Sequence, residues 1–160
     1  MAAEPEDDTD RRLLAALLTD GRATLAVLAA AAGLSVSAAQ ARVRRLEARG
    51  VVTGYAARVS PESVGLPLTA FIAITPFDPA QPDDAPERLA KLTAIEGCWS
   101  VAGEESYQLL VRVASPQALE LLLREIRATA NVRTRSTVVL QTFYEQRPLD
   151  VSPAQAAPVD

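Results

Sequence analysis

Apolar positions recur at helical spacing through the first third of the chain and at strand spacing through much of the rest. Leu13, Leu14, Leu17 and Leu18 line one face of a helix expected from Asp8 or Thr9 to Thr19, with Asp20-Gly21 as its stop. Thr24 reads as the N-cap of a second helix whose inner face is Leu25, Leu28, Ala29 and Ala32. Gly33-Leu34 interrupts that helix. Ser35 caps a third, in which Val36, Ala39, Val43 and Leu46 form the buried stripe and Gly50 lies just past the end.

Beyond Gly50 the pattern changes period. Val51 to Val59 reads as a short strand leaving the helical region, and Ser60-Pro61-Glu62 opens a helical turn that closes near Gly65. Leu68 to Thr75 is an apolar, β-branched strand, and the four prolines between Pro76 and Pro86 mark a loop. Ala85 to Ile95 is an amphipathic helix with Leu89, Leu92 and Ile95 inward. Two strands, Gly97 to Ala102 and Tyr107 to Val113, form a hairpin around Gly103-Glu104-Glu105-Ser106. Ser115-Pro116 opens a helix with Leu119, Leu122, Leu123 and Ile126 inward, and Val132 to Tyr144 is a last strand. The order β-α-β-β-α-β is the split βαβ, or ferredoxin-like, plan. The fold class is therefore α+β: a helix-turn-helix, winged-helix-like domain followed by a ferredoxin-like one. The expected divisions are an acidic arm at 1–7, a helical domain at 8–50, a linking strand and turn at 51–66, the ferredoxin-like domain at 67–147, and a disordered Pro/Ala-rich tail at 148–160.

Leu25 to Arg44 carries helix-turn-helix spacing. With Ala39 and Val43 inward, Ser37, Ala41 and Arg44 point outward, and Ala38, Gln40 and Arg45 lie on the flanks. Such a helix suits the major groove, where Gln pairs with adenine and Arg with guanine. Ser35 stands at its start, and Arg22, Arg42, Arg49 and Arg58 are placed for phosphates. The bland alternative is a three-helix bundle with a solvated arginine face.

Charge favours the first of these. The net charge of −4 conceals a block from 11 to 60 at +6, against −5 in the first ten residues and −5 from 61 onward. A basic block inside an acidic chain is the footprint of one polyanion-facing domain. Composition also removes function classes. With no histidine, Ser-His-Asp and Cys-His catalysis and nearly all zinc sites are excluded, and no Gly-rich phosphate loop is present. No enzyme, metal or cofactor is expected. Hydrophobic residues make up 49%, yet the longest apolar runs fall short of a membrane span, so no membrane partner is expected. Met1 to Asp8 is acidic and does not read as a signal peptide, and the single Cys98 fits a reducing cytoplasm.

A longer string of residues is more specific than the helix-turn-helix spacing. Asp10-Arg11, Asp20-Gly21-Arg22, Ala32-Gly33-Leu34-Ser35, Arg42-Val43-Arg44-Arg45-Leu46-Glu47, Gly50-Val51-Val52 and Gly54-Tyr55 resemble the leucine-responsive and asparagine-operon (Lrp/AsnC, feast/famine) regulators. Val101-Ala102-Gly103, Tyr107 and Thr137-Val138-Val139 resemble that family's regulatory domain, so the likeness covers roughly 8 to 146. It implies a bacterial, cytoplasmic, nucleoid-associated regulator of amino-acid metabolism genes that binds double-stranded DNA. It further implies homodimers joined sheet to sheet, assembly to octamers, and a free amino acid bound between dimers as effector. A DNA-bending architectural protein with little sequence preference is the alternative.

By the same resemblance the effector lies at Val101, Gly103, Glu104, Glu105 and Tyr107, with Thr134, Ser136 and Thr137 supplying hydroxyls. Carboxylates suit an ammonium group and a Gly-bearing turn offers N–H groups to a carboxylate. Family members often carry Gly-Asp-x-Asp-Tyr there. This chain has one acid longer by a methylene and Ser106 in place of the other, which leaves the ligand open. The two glutamates also read as a plain solvated turn.

Overall fold

The computed structural model describes residues 7–152 apart from 79 and 81. The described residues fall into two compact units, one holding 7–57 together with 144–152, the other 58–143.

The first unit is three helices: α1 Asp8–Thr19, α2 Leu25–Ala32 and α3 Val36–Ala48. Each begins at a side-chain cap. Asp7 accepts from the Asp10 N–H, Thr24 from Val27 and Ser35 from Ala38, which satisfies N–H groups that a helix start leaves over. Gly33 ends α2 in the left-handed region at φ 67°, where a side chain would be strained. That turn sets α2 and α3 at 95°, within the helix-turn-helix range. Leu13, Leu28, Ala29, Ala32, Ala39 and Val43 form a small core.

The expected strand at 51–59 is absent: no described residue there pairs with another strand. Val51 and Val52 turn back on α3 instead, both donating to the Leu46 carbonyl, at 2.9 and 3.2 Å, and no strand lies beside 51–59 among the described residues. Tyr55 donates from its hydroxyl to Glu47 Oε1 at 2.9 Å. Residues 148–152, expected to belong to a disordered tail, run beside α1, and Arg11 Nη1 donates to the Val151 carbonyl at 3.3 Å. The remainder of that tail and most of the acidic arm lie outside the described residues.

In the second unit a short 3₁₀ turn, Glu62–Val64, precedes β1 Leu68–Pro76, α4 Ala85–Leu89, β2 Ile95–Ser100, β3 Tyr107–Val113, α5 Pro116–Ala130 and β4 Val132–Val138. The strands form one antiparallel sheet in the order β2-β3-β1-β4, the split βαβ arrangement. Alternation puts Ala70, Ile72 and Ile74 of β1 and Leu109, Val111 and Val113 of β3 on one face, packed with Leu89 of α4 and Leu119, Leu122 and Ile126 of α5. The opposite face has no covering element among the described residues and exposes Phe71.

Two boundaries differ from expectation. The helix expected through Ile95 ends at Leu89, and Ile95 instead begins β2 opposite Val111. The last strand stops at Val138, Val139 N–H still donating to the Thr69 carbonyl at 3.0 Å; β1 begins at Leu68, so residues 140–144 have no backbone of β1 left to pair with, and Leu140, Phe143 and Tyr144 are exposed. On β2 the far edge of the Trp99 indole lies over Gly97, in the space a Cβ there would take, so a side chain at that position would push the ring aside.

Candidate nucleic-acid interface and effector turn

On α3, burial follows the helical period. Ala39, Val43 and Leu46 face the core, while Val36, Ser37, Ala41 and Arg44 are exposed and Gln40 is half-buried beside them. Ser37, Gln40, Ala41 and Arg44 thus form one outward stripe at i, i+3, i+4 and i+7, with Ser35 as cap and within 3.2 Å of Ser37. The stripe offers a hydroxyl, an amide and a guanidinium, the groups that read base edges. Arg22 is exposed on the turn before α2, its N–H bonded to Asp20 Oδ1 at 2.8 Å. Arg49 is exposed at the end of α3, whereas Arg58 falls in the second unit.

Arg42 and Arg45 are placed otherwise than the sequence suggested. Arg42 Nη1 lies 2.7 Å from Asp10 Oδ1 and 2.8 and 2.9 Å from the two oxygens of Asp7. Arg45 Nη2 lies 3.4 Å from both oxygens of Asp10. Asp10 is completely buried, and a carboxylate there persists only with cations to pair it. The Asp10 N–H and then Arg42 hold the Asp7 carboxyl below the usual range, and both carboxylates push Arg42 further up. Sequence reading missed this network although one signal was present. Asp10 stands three, four and seven residues before Leu13, Leu14 and Leu17, on the apolar stripe of α1, and an acid there needs a partner.

In the second unit the hairpin turn is fixed at its base. Val101 N–H donates to the Ser106 carbonyl and Ser106 N–H to the Ile74 carbonyl, both at 3.1 Å. Gly103 and Glu104 are exposed, and Glu105 ion-pairs with Arg135 of β4, a residue that sequence reading also missed. That pair brings the turn toward β4 even though β2 and β4 are opposite edges of the sheet.

The expected hydroxyl and aromatic groups divide between two faces. Thr137 pairs with Phe71 in register and shares the open face. Ser136 and Thr134 pair with Ile72 and Ile74 and share the helix-covered face, where Thr134 Oγ1 accepts from Arg127 at 3.0 Å. Tyr107 is buried there too, and its hydroxyl donates to Asp83. That hydrogen bond, reinforced by burial, pushes the phenol up to about 12. Tyr107 is thus a core residue with its polar end satisfied. The Glu105–Arg135 pair links the turn to the open face, which Arg135 and Thr137 share, whereas Tyr107, Thr134 and Ser136 belong to the helix-covered face. No cluster of metal-ligating side chains occurs among the described residues. No single helix among them is long and apolar enough to cross a membrane.

Comparison with known proteins matches the same two parts. Residues 6–53 match a family described as winged helix-turn-helix DNA-binding, and residues 69–149 match the Lrp/AsnC ligand binding domain. Over 144 residues the chain is 67% identical to the HTH-type transcriptional regulator LrpA of Mycobacterium tuberculosis, covering 90% of this chain and 96% of that one. The feast or famine regulatory protein of M. tuberculosis, solved in complex with L-methionine, superposes with a TM-score of 0.86 at 67% identity, over 88% of this chain and 96% of that one. A transcriptional regulator of Neisseria meningitidis, also solved with L-methionine, has a TM-score of 0.82 at 30% identity, over 91% and 97%. Matched in both parts and over nearly all of its length, the chain belongs to the Lrp/AsnC family, whose members are DNA-binding transcriptional regulators and not enzymes.

Proposed function

We propose that this regulator reads its operator with the outward stripe of α3 and answers to L-methionine or a similar apolar amino acid at the hairpin turn. The observation that carries the effector is the L-methionine complex of a protein 67% identical over nearly the whole chain. Ser37, Gln40 and Arg44 are the base-reading groups, and Arg22 and Arg49 contact phosphates. Arg42 and Arg45 serve by holding α3 to α1.

At the turn, Gly103 and Glu104 face the ligand's charged ends, and Val101 and Thr137 border its side chain. Glu105 already has Arg135 as its partner, so Glu104 is the carboxylate left for the ammonium group. Val101, Gly103, Glu104 and Thr137 are all exposed on a single chain, which fits a site completed by a second copy. Paired heads on two half-sites turn the second DNA contact into an intramolecular one. An effector bound between copies alters DNA affinity only by preferring one assembly over another. The working divisions are 8–50 for DNA and 67–147 for sensing and assembly, up to an octamer. The setting is cytoplasmic and the targets are amino-acid metabolism genes.

The test is a thermal-shift screen of the twenty amino acids, followed by titration of a selected duplex against random DNA with the best ligand. A ligand at ~100 times its dissociation constant stabilises by about 2.7 kcal/mol. A selected duplex should win over random DNA by roughly 10³-fold, and the ligand should change that affinity. No shift with any amino acid removes the sensing role. Equal binding to random DNA makes the protein an architectural one.

A further inference from the structure

The three arginines of α3 are held in different ways. Arg44 is exposed on the outward stripe and makes no ion pair among the described residues. Arg42 and Arg45 converge on Asp10, and Arg42 is also gripped by both oxygens of Asp7. The two acids are not equivalent. Asp10 is sealed, so its hold is permanent, whereas the Asp7 side chain is 43% exposed and its hold can be exchanged for another anion.

DNA supplies such anions. Each phosphate neutralised by a basic side chain releases counterions, adding about 0.9 to the slope of log affinity against log salt. That gain is indifferent to sequence. An arginine already neutralised by a protein carboxylate contributes little of it, so carboxylates beside a reading helix lower non-specific binding more than specific binding.

We propose that Asp7 and Asp10 are specificity-determining residues of the DNA reader, masking Arg42 and Arg45 so that α3 meets DNA with Arg44 as its strong cation. Asp7 is the adjustable member. Its Oδ1 both caps α1, accepting the Asp10 N–H at 2.8 Å, and pairs with Arg42. Capping needs only an oxygen acceptor, but masking needs a negative charge. Serine and asparagine cap as well as aspartate does. Asp7→Ser therefore removes one duty and keeps the other. The proposal rests on α3 being the DNA-facing helix.

The experiment uses the full chain and titrates a random-sequence duplex and a selected one across a salt series. Asp7→Ser should steepen the salt slope for random DNA by about 0.9 and tighten that binding several-fold at low salt. The preference for the selected duplex should shrink by a similar factor. Asp7→Asn should behave the same way and guards against an unfolded serine variant, with thermal unfolding as the check on both. Adding Arg42→Met to Asp7→Ser should return the slope to the wild-type value. An unchanged slope in both Asp7 variants overturns the masking, as does a gain that survives Arg42→Met. Arg44→Ala separates the two levels: it should lower the slope by about 0.9. If Arg44→Ala changes nothing, α3 is not the DNA face and the reading falls together with the proposal. If it weakens binding while the Asp7 variants stay at wild type, only the masking falls.

Discussion

Among the fully buried residues of the helical unit stands a carboxylate, Asp10, beside Leu13, Ala39 and Leu46. The innermost residues of the sheet unit are Ile72, Ile74, Leu109, Val111, Ile126 and Val132, all of them apolar. The difference follows from what each unit can bury. Three short helices whose inner faces carry Ala29, Ala32 and Ala39 enclose little apolar area, so an ion network holds α3 to α1. A four-stranded sheet under two helices encloses enough without one. Its buried cation, Arg112, pairs with Glu96 on β2, the strand beside its own, not across the core. Charge sets the geometry of the part that meets a polyanion, and apolar packing sets that of the part that carries the turn.

The sharpest way to break this contrast is to cut each unit at its own anchor. Ile126→Ala, at a site with no exposure, should cost about 4 kcal/mol in urea unfolding of the sheet unit. Asp10→Ala should cost the helical unit about 3 kcal/mol, the low end for breaking a buried ion pair, because Arg42 and Arg45 are partly solvated and can turn to water. If Asp10→Ala costs nothing, apolar packing holds both units and the contrast fails.

The smallest effect is set by pH, with opposite signs in the two units. Tyr107 holds its proton up to about 12, above the ordinary value of 10.0. Its contribution is complete below pH 10 and drains away as pH rises through 12, so the sheet unit should lose stability in alkali. Tyr107→Phe should lower stability near neutrality by about 1 kcal/mol, since exposed Asp83 regains water, and should abolish that alkaline loss. Asp7 shows the reverse. Its carboxyl is held below the ordinary value of 3.8, so its contribution is present above that value and disappears as pH falls through the folded one. The helical unit should weaken in acid, and Asp7→Asn should remove that part of the dependence.

Local pattern carried much of the fold. The caps Thr24, Ser35 and Ser115, the left-handed turn at Gly33 and the alternation in β1 and β3 depend on residues close in sequence. Errors arose where the deciding partner was distant. Val51 to Val59 had β-branched composition but no strand to join, and the sequence around Tyr144 alternated beyond the reach of β1. Ile95 fitted a helical period, yet Val111 across the sheet claimed it. The outward stripe of α3 was legible because burial of Ala39 and Val43 determines it. The holders of Arg42 were not, since Asp7 and Asp10 stand 35 and 32 positions away. The turn proposed for the effector was singled out only through likeness. Its register decides which hydroxyls face it, and that register separates Thr137 from Thr134 and Ser136.

Trp99, the chain's only tryptophan, lies on an edge strand of the sheet unit, half exposed above Gly97. Light that excites indole alone therefore leaves the helical unit dark, so emission follows the sheet unit in the intact, unlabelled protein. A half-wet indole emits toward the red, and anything that later covers it draws the emission blue. The strand whose glycine leaves room for that ring thus carries its own optical gauge of what comes to rest against it.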